Sequence, residues 1–452
     1  MTQESTDQMM AEGVHRYSAE KNWVEPSESQ LIERLEWFKD QKLALMMHWG
    51  PYSQLGVVES WALSDEDAEW SREGIDWEAN SQELKRQYMD LNRTFNPIRF
   101  QPHVWADIAK KAGFKYVIFT TKHHDGFSMW DTRETDYRIT ADDCPFHTHK
   151  YADICKHVFQ AFRKNGLGIA AYYSKADWHT PYYWAPGMEQ GSKSWRGPTY
   201  NPKEYPWLWD KYVQFNHNQI MELMTKYGDI DILWLDAGWV GHENQDIRLD
   251  EVIEKARKIQ PWLLTADRMM GGKFENYITP EQTIPDNPIH VPWESCITMG
   301  TSFSFKYEDT YKSTKEIIYT LIEVVAKGGN LALNVAPQPD GRLPKGAIKR
   351  MEELGEWLDI HGEAIYGTRM CDPYYTREFA FTKKGETTYC FWLDKHEDNG
   401  HEKEIILPYN KHVQRIEHLG RASQLDFVQN DKGIVIKLPI KKDSIVDVFR
   451  LT

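Results

Sequence analysis

The segment Lys115-Tyr-Val-Ile-Phe-Thr-Thr-Lys-His-His-Asp-Gly-Phe127 joins an apolar run to a cluster of polar side chains. Residues 116–121 are β-branched or aromatic, with no charge, which is typical of a parallel strand buried on both faces. The polar residues that follow directly are Lys122, His123, His124 and Asp125. Because active sites lie where parallel strands end, this segment predicts a strand that leads into a functional site.

The same pattern occurs at three other places in the chain. The apolar run 43–47 is followed by His48 and Trp49, and the run 230–235 is followed by Asp236. A weaker case is 168–174, which is followed by an Asp-Trp pair. Four strands that each deliver polar or aromatic residues at the carboxyl end predict the mouth of a barrel.

Helix-like and strand-like segments alternate along most of the chain, which is typical of an α/β barrel. The segments with helical spacing are 29–40, 103–112, 151–165, 207–227, 249–259, 312–327 and 345–362, and 328–337 contains a late strand. After residue 367 only short alternating runs remain, at 387–392, 404–407 and 433–438. The sequence therefore predicts a (β/α)8-like barrel over residues 1–367 and a C-terminal β-sandwich domain over 368–452.

Composition narrows the class of protein. The 452-residue chain has a formal net charge of −14, which disfavours a nucleic-acid surface because such a surface needs a basic patch. No apolar run approaches the roughly 18–20 residues of a membrane span, so no membrane association is expected. The 19 Trp and 23 Tyr suit a protein that stacks aromatic rings against sugars.

The N-terminal residues and the cysteines bear on the compartment. The first 21 residues are polar and lack the apolar core of a signal peptide, which predicts a cytoplasmic protein unless a leader was removed. The five cysteines are widely spaced, odd in number and form no CxxC pair. They are expected to be reduced thiols and not a disulfide framework or a zinc site.

Asp236 is the leading candidate for a catalytic residue. Side chains alternate along a strand, so Trp234 and Asp236 share one face. A carboxylate at a barrel mouth beside an indole ring is placed to attack or stabilise a cationic sugar centre. The alternative is a structural aspartate that caps the following turn.

Sugar hydrolysis needs a second carboxyl group that gives a proton to the leaving oxygen. Glu281 lies in the loop Tyr277-Ile-Thr-Pro-Glu-Gln282. Glu294 follows Trp293, whose ring would raise the pKa of the carboxyl by desolvation. The residues themselves leave both candidates open.

The histidines invite a metal hypothesis, which we disfavour. His123 and His124 are adjacent, so on a strand their rings would diverge, and no HExxH motif accompanies them. Neutral histidines that donate hydrogen bonds to sugar hydroxyls fit better, with Arg268 as a charged donor. We therefore predict no metal and no cofactor.

These segments together resemble the α-L-fucosidases of glycoside hydrolase family 29, most of all in the HWG, KHHDGF and WLDAG blocks. The resembling segments are HWGPYS at 48–53, ESW at 59–61, residues 95–132, GLGIAAYYS at 166–174, DILWLDAG at 231–238, WES at 293–295 and GGNLALNVAPQPDG at 328–341. The resemblance implies a (β/α) barrel with a C-terminal β-sandwich. It also implies hydrolysis of terminal α-L-fucosides with net retention, through a covalent glycosyl-enzyme.

By this resemblance Asp236 is the nucleophile and Glu281 is favoured over Glu294 as the acid/base. The residues that would contact the sugar are His48, His123, His124, Tyr172, Trp234 and Arg268, which would line the pocket, and Glu59 and Trp61, which would lie near its rim. The chain departs from its relatives at Ser302-Phe-Ser-Phe305, where a Trp-Gly-Tyr element is usual, so the leaving-group subsite is expected to differ.

Three competing functions remain at the level of the sequence. One is a retaining hydrolase of a related sugar such as an α-L-galactoside, and another is a catalytically inactive carbohydrate-binding protein. A third is a metal-dependent amidohydrolase. The expected partner is a fucosylated oligosaccharide or glycoconjugate; the linkage, the natural aglycone and the oligomeric state, a homo-oligomer included, are left open.

Overall fold

The computed structural model describes residues 9–12, 15–64, 68–72, 81–188, 195–242, 244–376, 378–393, 402–439 and 445–452. A hairpin of β1 (Met9–Glu12) and β2 (His15–Ser18) precedes the first helix, α1 (Ser29–Gln41). The hairpin and α1 precede the strands of a large parallel sheet in the sequence.

In the described part of the chain the parallel strands are β3 (Leu43–Met47), β4 (Tyr116–Lys122), β5 (Gly168–Ser174), β6 (Ile232–Asp236), β7 (Leu264–Asp267), β8 (Glu294–Thr298) and β9 (Asn330–Asn334). These seven strands form a curled sheet in the order β7-β6-β5-β4-β3-β9-β8. The helices that accompany them are α2 (Ser81–Met89), α3 (Pro102–Lys111), α4 (Ile154–Lys164), α5 (Pro206–Lys226), α6 (Leu249–Ile259), α7 (Thr314–Ala326) and α8 (Lys345–His361). The predicted barrel class is confirmed, and α2 is a helix that the sequence pattern did not predict.

An irregular segment, 274–282, stands where an eighth strand would lie between β7 and β8. The backbone N–H of Asn276 donates to Thr265 of β7, and the N–H of Cys296 in β8 donates to Pro280, at 2.9 and 3.0 Å. Isolated bridges and separate backbone hydrogen bonds, in place of a continuous strand, join the segment to its neighbours. Pro280 has no N–H to contribute to a ladder, so a regular strand is disfavoured at this position.

Alternation along the strands separates two apolar layers. In β4, Val117 and Phe119 pack outward against the helices, whereas Tyr116 and Ile118 fill the inside of the barrel. Full burial of such a side chain contributes about 1.5–3 kcal/mol. The same alternation turns Trp234 of β6 into the barrel, and therefore aims the last residue of that strand at the interior of the mouth.

Two antiparallel sheets form the C-terminal domain and confirm the predicted sandwich. Their strands, as far as the structure describes this domain, are β10 (Phe379–Lys384), β11 (Thr387–Trp392), β12 (Glu402–Leu407), β13 (Ile416–His418), β14 (Ser423–Gln424), β15 (Phe427–Asn430), β16 (Gly433–Pro439) and β17 (Asp447–Leu451). One sheet has the order β10-β11-β17-β13-β14 and the other the order β12-β16-β15. A shared core that includes Phe381, Ile405 and Ile436 lies between the sheets. The boundary at 367/368 stays a prediction.

Two further features concern the cysteines and the helices. All five cysteines are free thiols, as predicted from their spacing. Among the described residues, no helix combines the length and the apolar character that crossing a bilayer requires.

Candidate active site

A cavity of about 710 Å³ opens at the carboxyl ends of the barrel strands. Asp236 and Glu281 line it together with every residue predicted to contact the sugar: His48, Glu59, Trp61, His123, His124, Tyr172, Trp234 and Arg268. Glu294 does not line it. The structure therefore brings together ten of the eleven predicted site residues.

Asp236 is held as a carboxylate by its neighbours. The Tyr172 hydroxyl donates to Oδ2, and Nη1 of Arg268 donates to Oδ1 at 3.0 Å. Burial pushes the pKa of Asp236 up, but the charge of Arg268, with smaller contributions from His124 and Tyr172, outweighs it and holds the pKa well below its usual range. Asp236 therefore keeps its negative charge in a largely buried position, as a nucleophile requires.

Arg268 connects the two candidate catalytic carboxylates. Its Nη2 donates to Oε2 of Glu281, and its Nη1 donates to Oδ1 of Asp236. Its guanidinium lies 5.1 Å from the centre of the Trp234 ring. Burial lowers the pKa of Arg268, but the two carboxylates raise it further and leave it well above its usual value. One fixed cation thus places Asp236 and Glu281 on the same wall of the pocket.

Glu294 occupies a different level of the barrel from Asp236. It begins β8, whereas Asp236 ends β6, and it is buried beneath Trp234, whose Nε1 donates to it at 3.2 Å. The Tyr116 hydroxyl donates to its other oxygen. The pKa of Glu294 is raised to about 7 by burial, although Trp293, the residue expected to cause this, packs on the outer face of the sheet. Glu294 supports a pocket residue and does not reach the pocket itself.

Glu294→Gln is expected to change the pH dependence of stability. The unfolded chain has a glutamate pKa of about 4.3, against about 7 in the fold. Glu294 therefore stabilises the fold below the unfolded value, and this contribution is lost as pH rises through the folded value. The free energy of unfolding of wild type, relative to Glu294→Gln, should fall between about pH 5 and 8.

Urea unfolding of both proteins at several pH values measures this difference. Buried histidines such as His48 have lowered pKa values and act with the opposite sign, but their contribution is common to both proteins and cancels. A difference that stays constant across the range would show that Glu294 titrates normally.

Glu59 lies deeper than the rim position that the sequence indicated. Its side chain is buried, and its Oε1 has no hydrogen-bond partner among the residues that the structure describes. Burial, with the charges of Glu281 and Asp236, raises the pKa of Glu59 well above its usual value. Glu59 therefore lines the pocket as a neutral carboxylic acid, which makes it a second candidate proton donor.

The expectation that His123 and His124 diverge is wrong. Strand β4 ends at Lys122, so both rings follow in a turn, where their centres lie 4.1 Å apart. Burial lowers the pKa of both, that of His124 to about 3, which keeps them neutral. Together with Asp236 they offer three ligand atoms within 4.8 Å of one another, a grouping that a divalent ion would also fit.

An aromatic rim surrounds the opening, and sequence reasoning found only part of it. The guanidinium of Arg196 lies 5.0 Å from the ring centre of Trp61 and 5.1 Å from that of Trp239. The ring centre of Phe303, a residue of the segment where the chain departs from its relatives, lies 5.0 Å from the ring centre of His48. The pocket-lining residues that were missed include Trp195, Arg196, Trp239, His242, Met269 and Phe303. They lie on loops, whose sequences have no periodicity from which a position in the pocket could be predicted.

Comparison with known proteins identifies the family. The sequence profile of the family described as Alpha-L-fucosidase matches residues 9–363. Tissue alpha-L-fucosidase of Homo sapiens is 27% identical over 434 residues, which cover 89% of this chain and 84% of that protein.

Solved structures agree in both fold and sequence. Alpha-L-fucosidase isoenzyme 1 of Paenibacillus thiaminolyticus superposes with a TM-score of 0.77 at 27% identity, covering 94% of this chain and 99% of that one. The alpha-fucosidase of Thermotoga maritima, solved in complex with fucose, gives a TM-score of 0.73 at 28% identity, covering 92% and 96%. A pocket built on two carboxylates and neutral histidines, within a fold and a sequence that both match, leads to one conclusion: the chain belongs to the alpha-L-fucosidase family.

Proposed function

We propose that the protein is a retaining exo-α-L-fucosidase that removes terminal α-L-fucosyl residues from glycans or glycoconjugates. The observation that carries this proposal is the pairing of Asp236 and Glu281 through Arg268 on one wall of the pocket. The fucose complex of the Thermotoga maritima relative supports the choice of sugar. A pocket, in contrast to an open cleft, suits a single terminal residue.

In the first step an Asp236 oxygen attacks the anomeric carbon and the glycosidic bond breaks. Glu281, as a carboxylic acid, gives its proton to the departing oxygen, and an ester joins Asp236 to the sugar. Each carboxylate oxygen has two lone pairs, so Asp236 keeps its bonds to Tyr172 and Arg268 and still has a lone pair for attack.

In the second step Glu281 acts as a base. Its carboxylate takes a proton from water, the resulting hydroxide attacks the anomeric carbon, and the ester bond to Asp236 breaks. Two inversions at one carbon give net retention, so the product is α-L-fucose. Arg268 stays in place to stabilise the carboxylate that Asp236 becomes again.

An aryl α-L-fucoside followed by proton NMR tests this function. The enzyme should release the phenol and form α-L-fucose first, with the β-anomer appearing later by mutarotation. Initial β-L-fucose would show inversion, and the absence of phenol release would contradict the activity itself. The aryl α-L-galactoside provides the matched comparison, because an apolar pocket rejects an added hydroxyl by only about 10²-fold.

Prolonged EDTA treatment is expected to leave the activity intact. Both Asp236 oxygens already accept hydrogen bonds, and the charge of Arg268 beside them disfavours a bound cation. Activity before and after chelation, with the metal content determined by mass spectrometry, checks this. A stoichiometric zinc ion whose removal abolishes activity and whose return restores it would revive the metal hypothesis.

A further inference from the structure

The first observation concerns the partner of His48. Asn334, the last residue of β9, presents Oδ1 to His48 Nδ1 at 2.8 Å, and its Nδ2 donates to the carbonyl oxygen of Phe303 at 2.7 Å. If the amide were reversed, its oxygen would face that carbonyl oxygen, and two acceptors would meet at hydrogen-bond distance. The orientation of Asn334 is thus set by Phe303, and the hydrogen between Asn334 and His48 resides on Nδ1.

The second observation concerns the partner of His124. Ser174, the last residue of β5, has a single hydroxyl hydrogen, which it donates to the carbonyl oxygen of Ala176 at 2.7 Å. Its Oγ accepts the backbone N–H of Ala176 at 3.1 Å and lies 2.7 Å from Nδ1 of His124. Because the hydroxyl hydrogen is already engaged, Ser174 can only accept from His124, whose Nδ1 therefore carries the hydrogen.

A neutral imidazole has one N–H and one bare nitrogen. Burial lowers the pKa values of His48 and His124, so both rings are neutral, and their Nε2 atoms are acceptors. Nε2 of His124 has no hydrogen-bond partner among the described residues and lies 3.7 Å from Oδ2 of Asp236. Two acceptors that face each other in a buried site need a group that brings a hydrogen between or beside them.

We propose that Asn334 and Ser174 are positioning residues that fix His48 and His124 in the Nδ1–H form, so that both rings accept hydrogen bonds from substrate hydroxyls. The identity of the ligand as a sugar rests on the proposed function. The assignment of the two tautomers does not rest on it. The hydroxyl that reaches His124 lies beside the Asp236 carboxylate. For these two rings, the proposal replaces the expectation that the histidines donate hydrogen bonds to the sugar.

His123 provides an internal contrast. Its Nδ1 lies 2.5 Å from the Ser60 hydroxyl, which can either donate or accept, so no committed partner fixes this ring. Selectivity among sugars therefore depends most on the substrate hydroxyls that contact His48 and His124. A substituent there must supply a hydrogen, so fluorine or a methoxy group at the same carbon should be rejected.

Nitrogen-15 NMR of wild-type protein carrying labelled histidine tests the tautomers directly. Bare and protonated ring nitrogens resonate far apart, and His48→Gln and His124→Gln serve only to assign the signals. We expect a protonated Nδ1 and a bare Nε2 on both rings. A protonated Nε2 on either ring overturns the assignment for that ring, whatever sugar the enzyme hydrolyses.

Ser174→Ala tests the positioning role, with Ser295→Ala as the matched control. Ser295 is also a buried serine of a barrel strand whose hydroxyl donates to a backbone carbonyl, that of Thr283. Loss of the Ser174 acceptor should move the His124 proton to Nε2 and lower kcat/KM for an aryl α-L-fucoside by about ten- to a hundredfold. Ser174→Thr, which keeps the hydroxyl, should retain the wild-type tautomer, and Ser295→Ala should retain both tautomer and activity. A Ser174→Ala protein with a bare Nε2 or with wild-type kcat/KM would overturn the role.

Analogues of L-fucose, used as competitive inhibitors, test the acceptor role. One hydroxyl, at C2, C3 or C4, is replaced by hydrogen or by fluorine. Fluorine brings no hydrogen, so at one carbon or more the fluoro analogue should bind no better than the deoxy analogue. Tighter binding of the fluoro analogue at all three carbons would show that the histidines donate.

Discussion

Asp236→Gly should lower kcat for an aryl α-L-fucoside by about 10³- to 10⁵-fold, because the variant has no group to form the covalent intermediate. The loss extends beyond the carboxylate, since Arg268 and Tyr172 both direct hydrogen bonds to it. The comparison of kcat with wild type under saturating substrate measures the effect.

Azide should partly restore turnover of Asp236→Gly. The missing carboxylate leaves space on the face that it attacks, and a small anion there meets the charge of Arg268. A single displacement by azide gives the β-fucosyl azide, which NMR identifies. Wild-type enzyme with azide is the control and should not form this product. A variant that keeps more than about a tenth of wild-type kcat would show that Asp236 is not the nucleophile.

Glu281→Ala should slow substrates with poor leaving groups by about 10²- to 10⁴-fold, because these need a proton on the departing oxygen. Activated aryl fucosides leave without protonation, so their first step should be affected far less. The measurement is kcat/KM across a series of aryl fucosides that differ in the pKa of the phenol. A steep dependence in the variant and a shallow one in wild type is the expected result.

Two other carboxyl groups serve as comparisons for Glu281. Glu294→Gln should depress good and poor substrates alike, because Glu294 acts through Trp234. Glu59→Gln removes the acid whose high pKa already suits it to give a proton. If the leaving-group dependence appears in Glu59→Gln and not in Glu281→Ala, the acid role belongs to Glu59.

The inward orientation of Asp236 could be predicted because the alternation of side chains along a strand does not depend on the surrounding structure. Residues 232–236 form a strand, and a residue two positions after an inward Trp234 must also face inward. Glu294 also faces inward. Alternation predicts which face of the sheet a side chain lies on, but not its position along the barrel axis. Only the structure shows that Glu294 begins its strand and lies under the pocket floor.

The convergence of His123 and His124 could not be read from the sequence for a related reason. The prediction depended on where β4 ends, and a shift of one or two residues moves both rings from a strand into a turn. Strand ends depend on tertiary contacts that the sequence does not show, and at the last residue of β4 the Lys122 ammonium donates to Asp177 at 3.1 Å in the buried interior. Trp239 and Arg196 lie on long loops, where no periodic signal exists.

The irregular segment 274–282 gives the two catalytic carboxylates different mechanical supports. Asp236 ends a strand that is hydrogen-bonded to a neighbour on each side. Glu281 lies between two backbone hydrogen bonds to one neighbour, β8, because the N–H of Cys296 donates to Pro280 and the N–H of Gln282 donates to Cys296. The position of Glu281 therefore depends on β8, whereas that of Asp236 depends on two strands, and a substitution that displaces β8 should move the proton donor while the bond-forming residue stays in place.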